Sequence, residues 1–401
     1  LSKKIYLDHA ATTPLDPLVL AKMLPYFTER FGNASSLHQP GQRAKAGLEM
    51  AREKVAKALN CQPSEIYFTS GGSESDNWAL RGVMEQSSHG HLITTKIEHK
   101  AVLDSAKDLA KQKHQVTFLG VDRQGIIRLA ELRKAIRPDT RLISVMYANN
   151  EVGSIQPVYQ IGKLARKKGI LFHVDAVQAA GSLSLDVRKI NCDLMSLSGH
   201  KFYGPKGVGV LYIKEGVKID PLIIGGGQED GKRAGTENVA GIVGLAEALD
   251  KAEKHRQKER IRLEKLRDYF IRQLVKAIPS CQITGHLRKR LPNNVSCLVK
   301  NVEGESLLMR LDMEGIFCST GSACTSRTLS PSHVLLAMGV SPVDAHGSLR
   351  FTMGHKTKKN DIDYVLKVLP EIVKDLRAMS PLEKVQEITK VKTKIGCDQN
   401  G

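Results

Sequence analysis

The chain has 401 residues, 41% hydrophobic and 25% charged, which is enough for one large core and a second domain. No apolar run reaches the length of a membrane span, and seven scattered cysteines without a CxxC or a zinc-spaced Cys/His set argue against a disulfide framework and a structural metal. Lys and Arg outnumber Asp and Glu by 60 to 42, a formal +18, but the excess is spread along the chain, so solvated surface charge is expected before a nucleic-acid footprint, with an acidic protein partner or a tRNA-modifying one left open.

The first residues, LSKKIYLDHAATTP, enter a strand-like run almost at once and carry no signal-peptide core. A cytoplasmic location is expected. An organelle such as the mitochondrion stays open, because the numbering starts at Leu1 and a leader could precede it.

From about residue 45 to 240, strand-like and helical runs alternate, as in an α/β layer fold. The strand candidates are EIYFTS (65–70), HLITT (91–95), QVTFLG (115–120), RLISVMYA (141–148), ILFHVDA (170–176), CDLMSLS (192–198) and GVGVLYI (207–213). Their continuous apolar character predicts seven strands of a mostly parallel sheet buried on both faces. Amphipathic runs such as AVLDSAKDLAKQ and VYQIGKLARKKG supply the covering helices.

Four segments in this region carry chemistry. In YFTSGGSESDNWAL (67–80) a strand runs through Gly71 and Gly72 into a helix starting near Ser73, which offers backbone N–H groups and a helix dipole to a phosphate. An ordinary helix capped by Ser73 reads the same way. In FHVDAVQAAG (172–181), Asp175 ends a buried strand, where a carboxylate needs a partner; a pyridinium nitrogen and an N-cap role fit equally. In MSLSGHKFYGPKGVGVLYI (195–213), Lys201 follows a buried strand, where desolvation favours the neutral amine and hence nucleophilic work. GGGQEDGKRAGT (225–236) imitates a nucleotide loop, but Arg233 stands where Ser or Thr should hold magnesium, so that reading is rejected; Thr236 could still reach an anion.

A charged amphipathic stretch at about 246–275, with Ile261, Leu263, Leu266, Phe270 and Leu274 at helical spacing, predicts a long connecting helix. Beyond it, PNNVSCLV and SLRFTMG read as strands of a smaller α+β domain. The expected division is a large domain over 16–257 and a small one over 1–15 and 258–380, with a polar tail at 381–401. Within the small domain, FCSTGSACTS (317–326) surrounds Cys324 with small polar residues, which predicts a mobile loop over about 317–330.

Taken in order, YLDHAATTP, SGGSESDN, EHKAVLD, YANNEVG, HVDAVQ, SGHKFYGPKG, RAGT, GSACTS and SLRFTMG resemble the fold-type I pyridoxal phosphate enzymes, and more narrowly the cysteine desulfurases of the NifS/IscS type. The resemblance covers nearly the whole chain. It implies a homodimer that takes sulfur from L-cysteine, leaves alanine, and passes the sulfur to an iron–sulfur scaffold or other acceptors, including those for tRNA thiolation and cofactor biosynthesis. It implies that Lys201 binds pyridoxal 5'-phosphate covalently and later moves protons, while His99 stacks over the ring. Asp175 would pair with the ring nitrogen and Gln178 with the phenolic oxygen. Gly72, Ser73, Ser198 and His200 would hold the phosphate, joined by Thr236 from the second subunit. Asn150 and Arg350 would hold the substrate carboxylate, and Cys324 would take the sulfur as a persulfide. The match departs at Thr320, at the extra Cys318, at His355 and in the tail. Cys318 is expected as a buried structural thiol, with a resolving role as the alternative.

Three rivals remain at this level. A selenocysteine lyase on the same scaffold would not need Cys324. An aminotransferase would turn over a keto acid. A non-enzymatic interaction protein is suggested only by the net charge.

Overall fold

The computed structural model describes residues 4–321 and 331–379. Among them are the strands β1 (Ile5–Tyr6), β2 (Ile66–Thr69), β3 (His91–Thr95), β4 (Gln115–Leu119), β5 (Thr140–Met146), β6 (Leu171–Asp175), β7 (Leu194–Ser198), β8 (Gly209–Ile213), β9 (Cys281–Ile283), β10 (Asn294–Val299), β11 (Ile316–Phe317) and β12 (Ser348–Thr352). The seven runs read from the sequence correspond to β2 through β8, and they form one sheet in the order β2-β8-β7-β6-β5-β3-β4. Only β8 runs against its neighbours. Strands β2, β3, β7 and β8 are buried along their whole length, which is why their sequences show no polar alternation. β4 closes one edge, and its outer residues are correspondingly more exposed.

The helices that cover this sheet include Gln39–Leu59, Gly72–Met84, Lys100–Lys111 and Val158–Lys168. The first ends at Asn60 with φ 58°, a left-handed cap that asparagine tolerates better than most side chains. The connecting helix is longer than its charged stretch predicts: Val239–Ala277, 39 residues. Its extra turns, VAGIVGL, are apolar on every side and so have no amphipathic signature; Asn238 caps them by accepting the Gly241 N–H.

This helix serves two apolar cores. Its first part, with Leu245 and Leu249, is buried against the large sheet, while Leu263, Phe270 and Leu274 join Val295, Leu349 and Phe351 in a second core. The expected boundary at 257/258 falls inside the unbroken helix. The second core backs an antiparallel sheet, β12-β10-β9, in which β10 and β12 are the two strand runs expected in the smaller part and the short edge strand β9 is an addition to them. The N-terminal stretch is stitched to the same region: β1 pairs with β11, and Asp8 bridges to Thr352.

None of the described helices is long and apolar enough to cross a membrane. Cys324, the expected mobility of its loop and the 381–401 tail lie outside the described residues. Cys318 is described; it is half-buried against the second core, and burial pushes its thiol well above the usual range.

Candidate active site

Parallel strands end on one side of a sheet, and loops leaving those ends meet over a common crevice. Here that crevice is a cavity of about 350 Å³ at the C-terminal ends of β2, β5, β6 and β7. Its wall contains Gly72, Ser73, His99, Asn150, Asp175, Gln178, Ser198, His200, Lys201 and Arg350, all singled out in the sequence. Thr236 does not reach it and stands exposed on its own loop. A separate cavity of about 590 Å³, rimmed by Lys4, Lys206 and Lys356, lies beyond the 9–17 stretch and contains none of these residues.

One end of the crevice suits an anion. The helix Gly72–Met84 starts there, with Gly71 at its cap and no side-chain cap, so Ser73 lies within the first turn instead of capping it. The first-turn N–H groups have no partner within the helix, and the dipole adds positive potential. A Cβ on Gly72 would lie 2.8 Å from Val177 Cγ2, so only glycine lets the backbone come this close. His200 adds a neutral ring: burial, then Lys201 and Lys206, push its pKa down to about 4, while Nδ1 pairs with Thr12 Oγ1 at 3.1 Å.

The floor is the opposite in character. Asp175 is 5% exposed, and no helix follows it, so it caps only a turn, with Oδ1 accepting the Val177 N–H at 2.9 Å. Asp76, one helical turn in from Gly72, and Glu98 are also buried. Burial pushes all three carboxyls up; Asp175 raises the other two further, and His99 and Lys201 pull Asp175 partly back. Asp76 Oδ1 has no hydrogen-bond partner among the described residues. Beside it, His173 is held between Ser144 and Ser196 at 2.9 Å each, and burial drives its pKa to about 3, so it brings no positive charge. Asp76 Oδ1 thus has room for a cation or an N–H donor that the surrounding described side chains do not supply.

Lys201 stands between these ends. Its Nζ donates to the carbonyls of Ala10 at 2.7 Å and Ala11 at 2.8 Å, and Gln178 Nε2 donates to the same Ala10 oxygen at 3.0 Å. Arg350 reaches over from β12, giving Nη2 to Asp8 at 2.8 Å and Nη1 to the Asn150 carbonyl at 3.2 Å. Its Nε is buried without a partner among the described residues. His99 caps the helix Lys100–Lys111 by accepting the Ala101 N–H on Nδ1 at 3.2 Å, so the neutral ring carries its proton on Nε2. Burial, then Lys201, lower its pKa against the pull of Asp175, favouring that neutral form.

Sequence reasoning missed Asp76, Asp8 and the Ala10 and Ala11 carbonyls. Asp76 had a signal: with Gly72 and Ser73 it occupies one face of the first helical turns. The two carbonyls had none, since any residue carries one.

The model of the family "Aminotransferase class-V" matches residues 5–365. A protein named cysteine desulfurase IscS from Clostridium botulinum is 52% identical over 386 residues, covering 95% of this chain and 97% of that protein. A solved NifS-like protein superposes with a TM-score of 0.88 at 42% identity, over 93% of this chain and all of that one. A second structure, described as SspA in complex with cysteine, has a TM-score of 0.77 at 35% identity, over 88% and 99%. The chain belongs to the aminotransferase class-V family and, within it, to the cysteine desulfurases.

Proposed function

We propose that the chain removes sulfur from L-cysteine with pyridoxal 5'-phosphate as cofactor, leaving L-alanine and a persulfide on Cys324. The reaction balances without an outside oxidant: the substrate's Cβ–S bond is replaced by C–H, and the displaced sulfur joins the Cys324 thiol as S–SH. The cavity's donor set fits the cofactor. A Gly72–Ser73 helix start with Ser198 and His200 would hold its phosphate, Asp175 its ring nitrogen, Gln178 its phenolic oxygen and Lys201 its reactive carbon. When bound, that ring supplies an electron sink for charge released at the substrate Cα.

The chain's own groups do the rest. Buried Asp175, which His99 and Lys201 only partly stabilise as the anion, would favour a protonated ring nitrogen in the bound cofactor. Arg350 grips the substrate carboxylate, and Asn150 lies beside it in the wall. Lys201, besides holding the cofactor, would be the amine that moves the Cα proton. His99 enters as a donor, holding its proton at Nε2. Thr236 would complete the phosphate site from a second copy, making the enzyme a homodimer. The division into a large unit (16–257) and a small one (1–15 and 258–380) belongs to this reading, supported by the two apolar cores. So does a cytoplasmic setting, supported by five free cysteines among the described residues. An iron–sulfur scaffold is the principal acceptor in this reading, with tRNA-thiolation and cofactor-biosynthesis carriers as further ones.

The observation that carries the proposal is the convergence of Lys201, Asp175, His99 and Arg350 on one cavity from four separate stretches of chain. The test measures sulfide and alanine from L-cysteine under reductant, together with the visible absorbance of the lysine-bound cofactor. Lys201→Ala is expected to lose both the band and the activity, and Cys324→Ala to keep the band and lose sulfide release. Full sulfide release from Cys324→Ala would sink the persulfide assignment.

A further inference from the structure

Glu151 follows Asn150 in the chain, yet its side chain does not line the cavity. Its backbone is pinned: the N–H donates to Asn149 Oδ1 at 2.9 Å, and the carbonyl accepts from Asn294 Nδ2 at 3.0 Å. The buried carboxyl turns toward the two points where the chain enters and leaves residues 322–330. On the leaving side, Ser332 Oγ donates to Glu151 Oε2. On the entering side, a methyl on Gly321 would lie 3.2 Å from the same Oε2 and 3.2 Å from Ser348 Oγ. Ser348 Oγ also accepts the Gly321 N–H at 3.2 Å.

Both ends are tied to the active site as well. Ser319 exchanges backbone hydrogen bonds with Arg350, at 3.1 and 2.7 Å. His333 Nε2 donates to the Glu98 carbonyl at 3.0 Å. Cys324 is three peptide steps from Gly321, a tether of at most about 11 Å between their Cα atoms, so the placement of Gly321 limits where the thiol can act. A carboxyl is an expensive choice for packing alone, since an apolar side chain would fill such a place without desolvation. Burial pushes Glu151 up to about 7, while Ser332 and Arg350 work against the rise.

We propose that Glu151 is a positioning residue for sulfur transfer: by binding Ser332 and backing Gly321 with one carboxyl oxygen, it sets where the Cys324-bearing segment begins and ends beside Arg350. The inference rests on the reading of Cys324 as the acceptor thiol.

The experiment compares wild type, Glu151→Ala, Glu151→Gln, Ser332→Ala and Ser332→Thr. Single-turnover persulfide formation on Cys324 is read by mass. The visible cofactor band, the KM for L-cysteine and the alkylation rate of Cys324 in cofactor-free protein are read beside it. Glu151→Ala is expected to slow persulfide formation by about 10²-fold, the cost of misplacing a reacting group by an ångström, with the band and KM kept. Its Cys324 alkylation rate should also depart from wild type. Glu151→Gln and Ser332→Thr, which keep the contact, should stay within roughly tenfold, and Ser332→Ala should follow Glu151→Ala. Wild-type persulfide rates and alkylation in Glu151→Ala would overturn the proposal. Loss of the cofactor band in both Glu151→Ala and Ser332→Ala would also overturn it, by making the pair part of the pocket's frame. Absence of a Cys324 persulfide in wild type would instead overturn the reading of the thiol and is recognisable as such.

Discussion

The floor and the rim of the cavity are opposites. At the floor, Asp175 and Asp76 are buried carboxyls lining the cavity, and the nearby His173 is kept neutral. At the rim, Arg350 is buried with Asp8 as its ion-pair partner and still has an Nε to give. The floor therefore prefers a bound group that brings positive charge or N–H donors. The rim and the start of the helix Gly72–Met84 prefer anionic oxygens. A ligand set with a protonated ring nitrogen at one end, and a phosphate and a carboxylate elsewhere, satisfies both. Neither end alone would distinguish this from a simple anion site or a simple acidic pocket.

Breaking the floor should have the largest effect. Asp175→Asn removes the charge proposed to favour a protonated ring nitrogen and is expected to lower kcat for sulfide release by about 10²–10³-fold. Spectra of the reconstituted variant would show whether cofactor is still bound, and near-wild-type turnover would refute the role given to this carboxylate.

Breaking the rim should act on substrate capture. Arg350→Lys keeps a positive charge but loses the planar fork, and the KM for L-cysteine should rise by roughly 10- to 100-fold with kcat less affected. A reverse split, with kcat falling and KM constant, would assign Arg350 to the chemical step instead.

The smallest effect sharpens the comparison through stability. Burial raises Glu98 from 4.5 to about 8, the Thr95 and Met146 hydrogen bonds opposing the shift. A carboxyl raised in the folded state contributes stability that is complete below its unfolded pKa and is lost as pH climbs through the folded one. Glu98 should thus weaken the protein progressively between about pH 4.5 and 8. Glu98→Gln imitates the protonated form and should raise the melting midpoint at pH 8 by roughly 2–4 °C, with little change at low pH. Equal shifts at both pH values would show that packing, not ionisation, is responsible.

Legibility differed between elements for physical reasons. Strands β2 to β8 were readable because burial on both faces leaves an unbroken apolar run. The start of the helix Val239–Ala277 was not, since turns buried all round have no polar face to mark them. Asp175 was readable because it ends a buried strand with a group that is costly to place there, and Lys201 because it follows one within three residues. Asp76 and Glu151 were not, since each sits in a segment whose more familiar neighbours already had an explanation, Gly72 and Ser73 in one case and Asn150 in the other.

What the amino-acid order determines by itself is local: which runs become buried strands, which turn must be glycine, and which reactive groups stand at strand ends. Those outcomes depend on side-chain shape, hydrophobicity and backbone freedom within a few residues. What only the tertiary structure decides is partnership. Asp8 meets Arg350 across 342 positions, and the Ala10 carbonyl meets Lys201 across 191. One oxygen of Glu151 accepts from Ser332, 181 positions away, and faces the place where a side chain on Gly321 would stand. Charge states follow from those meetings, because desolvation and Coulomb attraction depend on distance in space and not on distance along the chain.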